Sequence, residues 1–135
     1  MRIMAIDLGD VRTGLAVSDL SGTLTGEAWI ITERNIDRLA ETIIQAADTR
    51  NVAQLVLGYP KNMDGTRGPR AEKSEAFREK LQSLTALPVT LWDERRTTAE
   101  ADNILKDAGR RGKKKKQVLD AVAASLILEG YLRSL

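Results

Sequence analysis

The chain has 135 residues, 42% of them apolar, and a formal net charge of +2, enough to bury one core and to set the expectation of one domain over residues 1–135. It contains no cysteine and no histidine, which excludes a disulfide framework, a thiolate zinc site, a Ser-His-Asp triad and every imidazole ligand. If the chain is catalytic, carboxylates carry the chemistry, and a metal held by carboxylates and water alone is a hard cation such as Mg²⁺ or Mn²⁺. No run approaches the roughly 18 apolar residues of a membrane span, and the chain opens directly on a strand-like segment, so a soluble, cytoplasmic protein with no membrane partner is expected.

Residues 2 to 7 form an apolar run broken at Gly9 and Asp10, and Gly14-Leu15-Ala16-Val17-Ser18 resumes it. This pattern reads as two strands joined by a polar turn. After the turn-like Ser21-Gly22-Thr23, the segment from Glu27 to Thr32 supplies a third strand, and the short turns make the three an antiparallel meander. The period then changes. Ile36, Leu39, Ala40, Ile43, Ile44 and Ala47 fall at helical spacing behind Asn35, a good N-cap, and predict a helix over 36–50.

Gln54-Leu55-Val56-Leu57-Gly58, stopped by Pro60, reads as a buried strand. Pro69 suits the first turn of a second helix, with Ala71, Ser74, Phe77, Leu81 and Leu84 as its inward face. Pro88 to Trp92 makes a fifth strand, and the capping-box sequence Thr97-Thr98-Ala99-Glu100 announces a helix that runs to Gly109. Arg110, Arg111 and Lys113 to Lys116 form a basic loop, and Gln117 to Leu132 a last helix. The result is an α/β protein with a mixed five-stranded sheet, a meander followed by alternating helices and strands, and right-handed crossovers that put helices on both faces.

Three places hold acids that could do chemistry. Asp7 ends the first strand just before Gly9, where an aspartate more commonly starts a turn. Asp93 and Glu94 end another strand and are followed at once by Arg95 and Arg96. Asp120 stands near the start of a helix apolar almost all round, where it either favours the positive helix end or partners a bound cation. Acids from two strand ends and one helix are what a two-metal phosphodiester cleavage site requires, and such a site needs no histidine. The lysine run reads equally as a phosphate contact and as a solvated loop.

The segment from Asp7 to Asp19, of the form Asp-x-Gly-x-x-Arg-x-Gly-x-Ala-x-Ser-Asp, resembles the signature of the YqgF (RuvX) family. Gly58-Tyr59-Pro60 with Asn62, Asp64-Gly65-Thr66 and Gly68 is similar to that family's glycine-proline loop, Asp93-Glu94-Arg95 with Thr97-Thr98 to its Asp-Glu-Arg motif, and Lys113 to Lys116 followed by Asp120, Ala123 and Ala124 to its C-terminal signature. Four motifs in the right order cover nearly the whole chain. The resemblance implies an RNase H-like fold related to the Holliday-junction resolvase RuvC, and a metal-dependent nuclease acting on pre-16S ribosomal RNA in 5′-end maturation, or on branched DNA.

By the same resemblance Asp7, Glu94 and Asp120 are the catalytic acids and ligands of Mg²⁺ or Mn²⁺. Asp93 is an alternative to Glu94, because neighbouring strand residues face opposite sides. Arg12, Arg95 and Lys113, Lys114, Lys115 and Lys116 would bind the substrate, while Ser18 and Asp19 suit a structural turn and Thr97 a helix cap. The pattern departs from the family at Tyr59, at Arg96, in the absence of an acid on the fourth strand and in having one acid where RuvC-like sites have two. Two rival readings remain. A phosphate-binding domain of the actin and sugar-kinase superfamily shares the first hairpin but needs a second lobe. A non-cleaving module for structured nucleic acid would rest on phosphate contacts, since aromatic residues are only 4% of the chain. Symmetric junction cutting would call for a homodimer, and end trimming for a monomer.

Overall fold

The computed structural model describes residues 1–22, 25–60, 64–93 and 112–135, with residues 112–120 described in backbone only. Strands β1 (Arg2–Asp7), β2 (Arg12–Ser18), β3 (Thr25–Thr32), β4 (Val52–Tyr59) and β5 (Val89–Asp93) build one sheet in the order β3-β2-β1-β4-β5. Helices α1 (Ile36–Thr49), α2 (Pro69–Leu84) and α3 (Gly112–Arg133) complete the described elements. The meander is antiparallel, whereas β4 joins β1, and β5 joins β4, in parallel. The C-terminal ends of β1, β4 and β5 therefore share one edge of the sheet with the start of β2. In open α/β sheets this edge is where ligands bind.

Strand alternation divides the core in two. Met4, Ile6, Leu15, Val17, Leu55, Leu57 and Val89 face α1 and α2, where they meet Leu39, Ile43, Phe77 and Leu81. Ile3, Ala5, Ala16 and Val56 face the other way, against Ala124, Ile127 and Leu128 of α3. Each fully buried Leu, Ile or Phe in these layers contributes about 1.5–3 kcal/mol relative to exposure. Helices cover both faces, as the β-α-β connections require.

Local signals explain the helices. The Asn35 side chain accepts a hydrogen bond from the backbone N–H of Arg38 at 3.0 Å, closing the first turn of α1, and the helical row of Leu39, Ala40, Ile43, Ile44 and Ala47 is buried. In α2, Pro69 occupies the first turn and Ala71, Ser74, Phe77 and Leu81 face the sheet. Leu84 does not join them and is 44% exposed. It lies in the final turn, where the chain swings toward β5, and Leu87 packs against the core in its place.

The last helix begins at Gly112, not at residue 117, so the run from Lys113 to Lys116 is helical backbone and not a loop. Lysine is a good helix former and nothing within the run interrupts the hydrogen-bond ladder, so the helix extends through it. Glu94, Arg95 and the helix predicted from Thr97 lie outside the described residues.

Candidate active site at the strand-end edge

Asp7 is the last residue of β1, still in register opposite Gly14 of β2. It shares the parity of Ile3 and Ala5, which places it on the α3 face of the central strand. The turn that follows is tight. A Cβ on Gly9 would sit 1.9 Å from the carbonyl oxygen of Arg12, so no other residue fits there without moving backbone. The Gly9 N–H donates to Thr13 Oγ1 at 3.3 Å, and Thr13 is itself fully buried.

That turn starts β2 at Arg12, which has the parity of Gly14 and Ala16 and therefore also lies on the α3 face. Gly14, opposite Asp7, is two residues further along β2, so Arg12 stands about 7 Å beyond Asp7 on the same side of the sheet. The aspartate and arginine of the first motif thus share a face and an edge.

The far end of the same motif is structural. Ser18 is buried, and its hydroxyl accepts the backbone N–H of Ile3 at 2.9 Å. Asp19 accepts the Ser21 hydroxyl at 2.8 Å, and its carbonyl accepts the N–H of Gly22, which adopts φ +73°. These contacts build the turn toward β3 at the edge remote from Asp7.

Asp93 closes β5 opposite Tyr59. Val89 and Leu91 pack toward α1 and α2, whereas Trp92 packs toward α3, where its ring meets Tyr131 edge-on at 5.6 Å between centroids. Asp93 has the parity of Val89 and Leu91. It therefore lies on the face opposite Asp7 and, two strands away, about 10 Å from it at ordinary strand spacing. Position 120 is on the α3 backbone, one turn before the buried Ala124. Among the described residues, no group of three or more acids, histidines or cysteines could hold a metal ion.

The α1/α2 side of the edge carries polar structure that single-sequence reading missed. The Tyr59 hydroxyl donates to Glu75 Oε2 at 2.6 Å, and Arg67 pairs with the other oxygen of Glu75. The hydrogen bond to Glu75, with burial and the carboxylate charge, pushes the Tyr59 phenol above its usual range, and the same carboxylate raises Arg67. This network ties the segment after β4 to α2, and gives the tyrosine between Gly58 and Pro60 a reason to be there.

Lys73 of α2 reaches Asp10 in the β1–β2 turn at 2.9 Å. Its hydrogen bond and charge, with a smaller contribution from Arg70, hold the Asp10 carboxyl below the usual range. No spacing signal announces partners 63 residues apart.

A five-stranded mixed sheet with a carboxylate at the end of its central strand and helices on both faces defines an α/β protein of the RNase H-like fold. T. thermophilus RuvC in complex with a Holliday junction substrate shares that fold with a TM-score of 0.64 at 13% identity, over 99% of this chain and 96% of that one. The fowlpox virus Holliday junction resolvase does so with a TM-score of 0.61 at 18% identity, each chain covered in full.

A family model described as "RuvX: Holliday junction resolvase" matches residues 1–134, and the chain belongs to this family. It is 45% identical over 132 residues to a protein of Halothermothrix orenii, covering 98% of this chain and 94% of that one. It is 44% identical over 137 residues to one of Lachnospira eligens, covering 99% and 98%. Both relatives bear the name "Putative pre-16S rRNA nuclease". By family the chain is a nuclease, a hydrolase of phosphodiester bonds. No helix among the described residues is long and apolar enough to cross a membrane.

Proposed function

We propose that this nuclease is metal-dependent and matures the 5′ end of the small-subunit ribosomal RNA precursor, with Asp7, Glu94 and Asp120 as its catalytic acids. One observation carries the reading: Asp7 and Arg12 share the α3 face of the strand-end edge, while Asp93 has the parity of the opposite face. The parity of Asp93 puts it on the wrong face for the second acid, and the proposed second acid is therefore Glu94. Helical periodicity supports Asp120, which is four positions before Ala124 and seven before Ile127, both buried against the sheet.

An all-oxygen donor set with no histidine or cysteine suits Mg²⁺ or Mn²⁺. Asp7, Glu94 and Asp120 would hold such a cation, which would supply Lewis acidity toward the phosphate and activate the attacking water. Arg12 and Arg95 position the phosphates flanking the cut, each guanidinium matching two phosphate oxygens. Lys113 to Lys116 add positive charge that draws the nucleic acid to the edge.

The names of the relatives point to ribosomal RNA. The family description supports a second reading, four-way DNA, since phosphate and metal contacts do not read the 2′-hydroxyl. The test compares wild type with Asp7→Asn on precursor ribosomal RNA and on four-way DNA junctions, with Mg²⁺ or Mn²⁺ and with chelator. Cleavage of the RNA by wild type with metal, and a loss of at least ~100-fold in Asp7→Asn, is expected, since metal stabilisation of the transition state is worth several kcal/mol. Equal cleavage by the variant, or by wild type in chelator, overturns the mechanism, and cleavage of the junction alone overturns the RNA assignment.

A further inference from the structure

On the α1/α2 side of the same edge, a cavity of about 480 Å³ opens between α2 and the β1–β2 turn. Its volume falls in the range of small-ligand sites, roughly 300–1,000 Å³. Leu8, Pro60 and Phe77 supply apolar wall, and Arg34, Arg70, Lys73 and Lys80 ring it with positive charge against one acid in the lining, Asp10. None of these residues has a part in the cleavage chemistry proposed above.

We propose that this cavity binds one unpaired nucleotide of the strand being cut, a proposal that rests on the nuclease reading and gives that site a second point of contact. Three features point to this occupant. Apolar walls under a cationic rim match a ligand with a flat, poorly solvated body and an anionic end, as a nucleobase with its phosphate presents. A cavity of this size admits a single nucleotide and excludes a duplex, so the base it takes is out of the stack. Position supplies the third: Leu8, Gly9 and Asp10 are both a wall of the cavity and the turn directly after Asp7. A strand with one phosphate at Asp7 therefore crosses the sheet edge over this turn and meets the cavity on the other side.

The Lys73–Asp10 pair is built into the rim at 2.9 Å, with both partners largely exposed. It holds the turn against α2 and keeps a lysine at the cavity mouth. Lys80, held by Asp37 at 2.5 Å, does the same on the α1 side. The rim is thereby arranged before any ligand arrives, which lowers the ordering cost of binding.

The test uses two probes in chelator, so that only binding is read: 5′-AMP, followed by backbone amide shifts, and a single-stranded RNA octamer carrying 2-aminopurine at successive positions, followed by fluorescence. Saturable shifts at Lys73, Ala76 and Asp10 are expected with 5′-AMP, and a fluorescence change confined to one or two positions of the octamer. Ala76 is exposed on α2 and lines the cavity, so Ala76→Trp fills it from the surface without touching the core. That variant should lose at least about tenfold in affinity for both probes. Arg70→Glu, an exposed change on the rim, should do likewise and keeps the test valid if Ala76→Trp folds poorly.

Absence of saturable binding by either probe, or unchanged affinity in both variants, overturns the proposal. Binding of 5′-AMP without a position-specific response from the octamer overturns the strand as the source of the nucleotide. A chain that binds both probes but leaves the ribosomal RNA precursor uncut when metal is restored upholds the cavity and overturns the proposed metal-dependent RNA cleavage, and a chain that cuts but binds neither does the reverse.

Discussion

The two faces of the sheet meet at one edge, yet they are built for different work. On the α3 side, Asp7 and Arg12 are fixed by the ladder and by a turn with no room for a side chain at Gly9. On the α1/α2 side, Asp10 and Lys73 pair on the lining of an open cavity, and Tyr59, Glu75 and Arg67 form a second network of hydrogen bonds and an ion pair. The first arrangement is rigid backbone carrying a carboxylate, and the second is side chains carrying charge. Rigid backbone suits groups that must hold a reacting phosphate in place, whereas cations on long side chains, set by ion pairs, suit the grip on a ligand beside it. Both depend on the same turn between β1 and β2.

The largest test of this division lies at the end of β5. Glu94→Gln should reduce cleavage by about 100-fold or more, comparable with Asp7→Asn, whereas Asp93→Asn should cost less than about tenfold. Steady-state cleavage assays on both variants decide it, and the opposite ranking would move the second acid to the other face. Next comes Gly9→Ala. The clash with the Arg12 carbonyl should cost about 1–3 kcal/mol of stability in a denaturant titration, and the displaced turn should weaken both cleavage and nucleotide binding. An effect on only one of them would show that the faces are independent. The smallest effect concerns the basic run: changing Lys113, Lys114, Lys115 and Lys116 to Ala should flatten the log–log salt dependence of substrate binding, by at most about 0.7–0.9 for each phosphate that the lysines neutralise. An unchanged slope would make the run merely solvated helix.

Much of this is legible in the residues. The apolar runs locate all five strands, most plainly β1, β2 and β4, which are largely buried, and Asn35 announces α1 because its side chain closes the first turn. Gly9 stands out as a turn residue, although its closeness to Arg12 shows only in three dimensions. The face that Asp93 takes is not legible, since alternation says only that neighbours differ; it takes the packing of Trp92 on Tyr131 and of Leu91 on the opposite core to say which face is which. Leu84 points inward by spacing, but spacing does not tell where a helix runs past the sheet. The lysine run reads as a loop because charge density suggests solvent, whereas lysine's helix propensity governs the backbone there. Tyr59–Glu75–Arg67 and Lys73–Asp10 join distant segments and carry no periodic trace.

The seating of α3 has a consequence in time. Ile3, Ala5, Ala16 and Val56 are all made well before the residues that cover them, Ala124, Ile127 and Leu128. A growing chain on the ribosome therefore carries a bare apolar sheet face until α3 has been made. Docking of α3 closes the second core layer, and with Asp120 as a proposed ligand the same event would also bring in the third acid.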